Sequence, residues 1–177
     1  MAILKIARMG HPVLMGQAQT VNDPKSEEIK TLVKNMIDTM EDAQGIGLAA
    51  PQVHIPLRVV VFFVPEERDN SSEAVPLTVL INPKIKFLSE IKIDGVEGCL
   101  SLPGMEGIVP RCSHIKYDAL QLDGTTLSRE ARGYHARVVQ HECDHLDGVL
   151  YPMRMEDISK LGYSEEIYRT ITSDTEN

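Results

Sequence analysis

The chain has 177 residues, of which 42% are hydrophobic and 25% are charged, a composition that predicts one folded domain with a substantial core and excludes a disordered chain. Its formal net charge of −8 argues against a nucleic-acid-binding protein, because such proteins usually carry a basic face. No apolar run approaches the ~20 residues that a membrane-spanning helix requires.

The N-terminal sequence has neither the long apolar core of a signal peptide nor the Arg- and Ser-rich composition of a transit peptide. A cytoplasmic location is therefore expected. Three cysteines, an odd number, fit metal ligation or free thiols better than a framework of disulfides. We predict a single domain over residues 1–170 and a flexible tail over residues 171–177, because the tail offers little apolar surface to bury.

The first predicted element is an amphipathic helix that opens at residues 22–24 and ends at Gly45. Its apolar side chains recur at helical spacing, at Ile29, Leu32, Val33, Met36, Ile37 and Met40. Residues 58–64 form an apolar run that is typical of a buried strand, and a polar loop is predicted over residues 65–76.

Short strand-like runs fill the middle of the chain, at residues 77–83, 85–93 and 108–122. A turn at Asp123-Gly124 precedes one further strand, and a second helix is predicted over residues 134–146. This order indicates an α+β fold. Mostly antiparallel β-sheets are expected to pack around a central helix, with the amphipathic helix near the N-terminus.

The second helix contains the metal-binding pattern H-E-x-x-H, in the sequence QHECDHL. At about 100° per residue, His141 and His145 lie about 40° apart, so both imidazoles point to one place. Glu142 lies about 60° beyond His145, where it can reach a group bound to a metal without binding the metal itself. Cys143 lies about 200° from His141 and is expected on the outward face of the helix.

A catalytic metal site needs a third protein ligand and an open position. One candidate is Tyr151, which stands where an extended form of the motif has a third histidine. A second possibility is a glutamate on a later helix, Glu165 or Glu166. The third is Cys99, since a thiolate is a strong ligand for iron or zinc. The preceding Gly98 favours this third source, because glycine lets the backbone come close to a metal or a substrate.

Three segments together resemble the peptide deformylase family. The family pattern is G-x-G-x-A-A-x-Q, then E-G-C-x-S, then Q-H-E-x-D-H. This chain has GIGLAAPQ at residues 45–52, EGCLS at residues 97–101 and QHECDH at residues 140–145. Their order and spacing match, and the resemblance extends over nearly the whole chain. It implies an enzyme that hydrolyses the formyl group from N-formylmethionine at the start of new polypeptides and releases formate.

By position, the resemblance implies a divalent metal ion held by Cys99, His141 and His145. Fe(II) is the usual native metal in the family, with zinc, nickel or cobalt as alternatives. Glu142 is then the general base and acid of the reaction. The side-chain amide of Gln52 and the backbone N–H of Leu100 form the oxyanion site.

The resemblance also implies an apolar pocket for the methionine side chain, lined by Ile46, Val138 and Tyr134. The glycines Gly45, Gly47 and Gly98 are expected to expose backbone to an extended peptide, which would pair with it as an added strand. The implied partners are N-formylmethionyl peptides and nascent chains. Association with the ribosome is a further expectation, whereas nucleic acid and membrane are not expected partners.

Glu106 departs from the family pattern, because several members carry arginine at this place near the substrate chain. A carboxylate here is expected to favour basic over acidic residues along the peptide. Asp144 is expected to pair with Arg111.

Two alternatives to the deformylase hypothesis stay open on the sequence. One is a small H-E-x-x-H metalloprotease that uses Tyr151, Glu165 or Glu166 as its third ligand. The other is an inactive binding module whose metal only holds the core together. The presence of Glu142 and Gln52 argues against the binding module, since a structural metal site needs no base beside an open position.

Overall fold

The computed structural model describes residues 2–66 and 74–175, with only the backbone for residues 170–175. The fold is mixed α+β with antiparallel sheets, as the sequence predicted. Within the described residues the helices are α1 (Glu27–Asp42), α2 (Gly133–Leu146) and α3 (Ser164–Thr175). The strands are β1 (Gly47–Ala49), β2 (Val59–Val64), β3 (Val75–Phe87), β4 (Lys92–Cys99), β5 (Leu102–Cys112), β6 (His114–Leu120), β7 (Thr126–Arg132) and β8 (Leu161–Tyr163).

Helix α1 begins at Glu27, later than the predicted start at residues 22–24. The side chain of Ser26 accepts a hydrogen bond from the backbone N–H of Ile29 and so caps the helix. Asp23 instead accepts a hydrogen bond from the backbone N–H of Lys25, in a turn before the helix. The apolar face of α1 packs against β1 and β2 through the buried side chains of Ile29, Val33, Met36 and Met40.

The strands form two antiparallel sheets. The larger sheet has the order β1-β2-β3-β6-β7, and the smaller sheet has the order β4-β5-β8. Strands β1 and β4 therefore lie at sheet edges, each with one side that no other strand of the described residues covers. An edge strand presents unpaired backbone N–H and C=O groups, which can hydrogen-bond to an extended peptide.

Two of the predicted strand runs are divided in the structure. The run at residues 85–93 contains the end of β3, a turn and the start of β4. The turn is hard to recognise because it carries the apolar residues Leu88 and Ile91, and Ile91 is 68% exposed. The run at residues 108–122 is interrupted at Ser113, between β5 and β6.

Helix α2 lies between the sheets and contacts β1, β2, β5 and β7. All of residues 135–146 are buried, although many of them are polar. The prediction that Cys143 lies on an outward face is therefore wrong. Its side chain is 7% exposed and packs in the core with Leu146 and Val139, because the larger sheet covers this side of the helix.

The ends of the chain and one loop fall partly outside the described residues. Of the polar loop predicted over residues 65–76, residues 67–73 lie outside them, and residues 75 and 76 belong to β3. A flexible tail was predicted over residues 171–177. Residues 176 and 177 and the side chains of residues 171–175 lie outside the described part of the structure, so the tail stays a prediction. The single domain over residues 1–170 stays a prediction as well. None of the described helices is long and apolar enough to cross a membrane.

Candidate metal centre

The structure brings together the three side chains that were predicted to bind metal. Cys99 is the last residue of β4, and His141 and His145 lie one turn apart on α2. One potential ligand atom from each residue lies within 4.8 Å of the other two. Cys99 Sγ is 3.4 Å from His145 Nε2. A thiolate and two imidazoles form a donor set suited to Fe(II) or zinc.

The charges in this group favour metal binding. Burial alone would raise the pKa of the Cys99 thiol, but His145 and His141 together hold that pKa well below its ordinary value. Burial likewise opposes the charged form of His141, and its hydrogen bonds to Cys99 and Glu97 nevertheless raise its pKa well above the ordinary value. The two histidines thus favour the thiolate form of Cys99, which is the form that binds a metal.

Glu97 orients the imidazole of His141. Its carboxylate oxygen Oε2 lies 2.8 Å from His141 Nδ1. Burial opposes ionisation of Glu97, but hydrogen bonds from Arg111 and His141 hold its pKa below the ordinary value. Because an ionised carboxylate can only accept, His141 Nδ1 must donate, and the other ring nitrogen is left to face the ligand group.

The carboxylate of Glu142 is buried beside the backbone of β1. The side chain is 5% exposed, and its Oε2 has no hydrogen-bond partner among the described residues. Burial raises the pKa of Glu142 to about 7. A Cβ atom at Gly47 would collide with this carboxylate. Only glycine at position 47 therefore leaves room for the Glu142 side chain in this position.

Gln52 directs its amide nitrogen towards Cys99. Its Oε1 accepts a hydrogen bond from the backbone N–H of Ala49 at 2.8 Å, which fixes the orientation of the amide. Its Nε2 donates to Ser101 Oγ at 3.2 Å and lies 3.5 Å from Cys99 Sγ. Leu100 lies between these two residues, in the turn that joins β4 to β5. No role was predicted for Ser101 from the sequence.

The residues predicted to line the methionine pocket are brought together. Ile46 and Tyr134 pack against the apolar cluster that contains Val138 and Phe62. On the other side of the site, Gly45 lies against the side chain of Leu100, whose Cδ1 is 2.8 Å from the place of a Cβ atom. Residues 45–47 are therefore held between Leu100 and Glu142.

Gly98 and Glu106 are opposite one another in the β4–β5 hairpin. A Cβ atom at Gly98 would lie 3.3 Å from Glu106 Cγ, so this glycine faces the carboxylate side chain. Glu106 Oε1 accepts a hydrogen bond from the hydroxyl of Tyr168 on α3 at 3.4 Å. The predicted effect of Glu106 on peptide choice stays a prediction.

The other candidate ligands lie outside the group. The ring of Tyr151 stacks on that of His141, with centroids 6.2 Å apart and planes at 22°, so Tyr151 packs against a predicted ligand. Glu165 and Glu166 lie on α3. Among the described His, Cys, Asp and Glu residues, no other group of three converges like Cys99, His141 and His145.

Charged residues next to Cys99, His141 and His145 in sequence or space form a connected network. Arg111 Nη1 donates to Asp144 Oδ2 at 2.5 Å, as predicted. Arg154 binds both oxygens of Asp144, at 3.0 and 2.7 Å. Arg137 donates to Glu97 Oε1 at 2.8 Å. Arg137 was not among the residues predicted for the site, and the sequence signal for it is its place one helical turn before His141.

The fold and the ligand group indicate the class of hydrolases that carry a catalytic metal on a helical H-E-x-x-H motif. A family model described as polypeptide deformylase matches residues 3–161. The chain belongs to the polypeptide deformylase family, whose members remove the N-formyl group from nascent peptides.

Individual relatives agree with this assignment. The chain is 48% identical to peptide deformylase 1 of Bordetella pertussis, over 92% of this chain and 93% of that protein. It is 45% identical to peptide deformylase 1 of Nitrosomonas europaea, over 97% and 99% of the two chains. Peptide deformylase from Ehrlichia chaffeensis in complex with actinonin superposes with a TM-score of 0.83 at 32% identity, over 98% of each chain. The Met-Ala-Ser-bound deformylase of Acinetobacter baumannii gives a TM-score of 0.81 at 35% identity, over 87% of this chain and 99% of that one.

Proposed function

We propose that the deformylase activity of this chain depends on one divalent metal ion held by Cys99, His141 and His145. The observation that carries this proposal is the convergence of a thiolate and two imidazoles from β4 and α2. Fe(II) is the expected metal, and zinc, nickel or cobalt suit the same donors. A metal ion bound there would supply a water molecule of lowered pKa as the nucleophile.

Glu142 is the general base and acid in this proposal. Its buried Oε2, which has no partner among the described residues, is placed to accept a proton from the attacking water. Glu142 then passes that proton to the nitrogen of the leaving amine. A pKa raised to about 7 by burial suits both steps near neutral pH.

Gln52 and Leu100 stabilise the negative charge that develops on the formyl oxygen. The Gln52 amide is fixed by its hydrogen bond from Ala49, so its N–H groups need no reorientation during the reaction. The backbone N–H of Leu100 is the second donor. Removing one such donor typically costs about 3–4 kcal/mol of transition-state stabilisation.

The substrate is the formylated N-terminus of a peptide. An extended peptide would pair with the edges of β1 and β4 that no other described strand covers, along Gly45, Gly47 and Gly98. Its methionine side chain would enter the apolar cluster at Ile46, Val138 and Tyr134. The Acinetobacter baumannii relative was solved with Met-Ala-Ser bound, which supports a peptide that begins with methionine.

Nascent chains are the natural source of such peptides. A cytoplasmic location and an association with the ribosome are therefore part of the proposal. Nucleic acid and membrane are not expected partners.

A comparison of wild type with Cys99→Ala tests the metal site. Wild-type protein purified without oxygen should contain about one metal ion per chain, as a single three-ligand site implies, and should release formate from formyl-Met-Ala-Ser. Cys99→Ala should lose both metal and activity. Retention of the metal by Cys99→Ala would point to a different third ligand, as the protease alternative requires.

A further inference from the structure

Arg137 is a buried cation of helix α2 to which the proposed reaction assigns no role. Its side chain is 8% exposed. The guanidinium reaches from the helix to the β4–β5 hairpin, where Nη2 donates to the carbonyl oxygen of Ile93 at 2.6 Å and Nη1 donates to that of Val109 at 2.7 Å. Nη1 also lies 2.8 Å from Glu97 Oε1. Arg137 thus connects the helix that carries two ligands to the hairpin that carries Cys99.

Gly95 provides the space that this guanidinium occupies. A Cβ atom at position 95 would lie 2.7 Å from both Cζ and Nη2 of Arg137, which is closer than such atoms approach. The carbonyl oxygen of Gly95 also accepts a hydrogen bond from Nη1 at 3.3 Å. Three backbone carbonyls and one missing side chain therefore fix the position of the guanidinium.

The carboxylate of Glu97 makes four hydrogen-bonding contacts, two on each oxygen. Oε1 lies 2.8 Å from Arg111 Nε and 2.8 Å from Arg137 Nη1. Oε2 lies 2.9 Å from Arg111 Nη2 and 2.8 Å from His141 Nδ1. A carboxylate has about four lone-pair positions, so these contacts fill it. Arg111 contacts both oxygens, whereas Arg137 contacts only Oε1. Of the two arginines, Arg137 is therefore the one that distinguishes Oε1 from Oε2.

We propose that Arg137 is a positioning residue for the metal ligand His141. By filling the remaining position on Oε1, Arg137 leaves Oε2 as the acceptor for His141 Nδ1. The rotation of the imidazole is then set, and its Nε2 faces the place where Cys99 and His145 converge. This inference rests on the metal site of the proposed function.

Metal affinity measured with Arg137→Met tests this role. The substitution removes the guanidinium and keeps a long side chain. Arg58→Met is the matched control, because Arg58 pairs with Asp147 at the end of the same helix and does not touch Glu97. Metal-free proteins are titrated with Co(II) and with Ni(II) against a competing chelator, and the visible absorption of the Co(II) form is recorded.

We expect Arg137→Met to bind metal about 10- to 100-fold more weakly, as is typical when a contact behind a metal ligand is removed. Its Co(II) absorption should change, because the histidine is no longer fixed. Arg58→Met should keep the wild-type affinity and spectrum. Thermal unfolding of the metal-free proteins should show that both variants lose stability, so that loss of stability alone cannot account for the difference.

Two further variants keep the test decisive. Arg137→Lys retains one donor near Glu97 and should recover part of the affinity. Gly95→Ala displaces the guanidinium without removing it and should weaken binding in the same direction, even where Arg137→Met does not fold. Wild-type affinity and spectrum in the folded Arg137 and Gly95 variants would overturn the proposal. A failure of the proposed function would instead be visible in wild type, which would bind no metal or release no formate.

Discussion

The carboxylate of Glu142 lies over the backbone of Gly47, at a place that any side chain at position 47 would occupy. The two residues are far apart in sequence and belong to α2 and β1. The glycine is thus required by close approach of a buried carboxylate, in addition to any contact that its backbone makes with a peptide.

Gly47→Ala is expected to displace Glu142 and to lower kcat/KM on the order of 100-fold, the typical cost of a displaced catalytic group. Metal content should not change. Gly16→Ala is the matched control, because a Cβ atom there meets no other atom within 4 Å. Wild-type activity in Gly47→Ala would show that Glu142 can act from another position.

Glu142→Ala should keep its metal and lower kcat by about 100- to 1000-fold, as is typical of a positioned acid–base group. The pH profile of the wild type should carry the same signature. A base must be ionised to accept a proton, and burial raises the pKa of Glu142 to about 7. Because a bound cation favours the carboxylate, the acid limb should fall at or below pH 7. Loss of metal in proportion to activity would instead identify Glu142 as a ligand.

His135 predicts how stability depends on pH. The ring is 5% exposed, and its Nε2 lies 3.2 Å from the hydroxyl of Tyr117. Burial, and after it the charge of Arg129, lowers the pKa of His135 to about 4, from an ordinary value of 6.5. Between these values the unfolded chain binds a proton that the native state does not. The contribution of the neutral ring to stability is therefore complete above pH 6.5 and is lost as pH falls towards 4.

Metal-free wild type should accordingly lose more stability between pH 6.5 and 4.5 than His135→Gln does. Denaturant unfolding at several pH values measures this difference. The pKa of Glu97 is lowered from its ordinary value of 4.5. Its contribution to stability is therefore lost only below pH 4.5, outside the range from pH 6.5 to 4.5 in which His135 is tested. Above pH 7 the two proteins should show parallel curves. Equal slopes in the acid window would mean that His135 takes up its proton in the native state.

The iron form of the enzyme should lose activity in air within hours. Fe(II) beside a thiolate with an open position is readily oxidised, and Cys99 is then exposed to oxidation to a sulfenic or higher acid. The nickel form should keep its activity under the same conditions. Mass spectrometry of Cys99 and formate release, followed in parallel, measure both events. Equal lifetimes of the two forms would indicate that the site is shielded from oxygen.

Glu106 should give a weak preference for basic over acidic residues along the peptide. A partly exposed charge contributes little, so we expect a ratio of roughly two- to fivefold in kcat/KM between Lys- and Glu-containing formyl-Met peptides. Glu106→Arg should reverse the ratio at low salt, and Glu106→Gln should abolish it. Because Glu106 contacts Tyr168 on α3, the absence of any reversal would show that this carboxylate serves helix docking instead of peptide choice.

The convergence of the histidines on α2 could be predicted because it depends on local geometry. Helical spacing alone places His141, His145 and Glu142 on one side of the helix. For Cys99 the local signal was only the preceding Gly98, and its predicted role as a ligand rests mainly on the family resemblance. The start of α1 was placed too early because Asp23 and Ser26 are both good helix caps, and only the structure shows which one is used.

The surroundings of the site depend on contacts between distant segments. Arg137 is 42 residues from Gly95 in sequence. The residues around Arg137 in sequence therefore do not show that Gly95 leaves space for its guanidinium. Cys143 was wrongly assigned to an outward face because it lies about 200° from His141 on the helix, and the side opposite a buried face is usually exposed. Here both sides are covered, and a polar side chain such as Gln140 is buried with its hydrogen bonds made to the backbone of Cys112 and Ala136.

The complete burial of residues 135–146 has a consequence for the dynamics of the protein. The buried turns of helix α2 cannot open without breaking contacts to a sheet. Their amide protons should therefore exchange with solvent only when the whole chain unfolds. The exchange rates of these amides would then report the global free energy of unfolding, in contrast to the exposed turn at residues 88–91. Two of the three side chains predicted to bind metal, His141 and His145, would thus lie in the last segment to open.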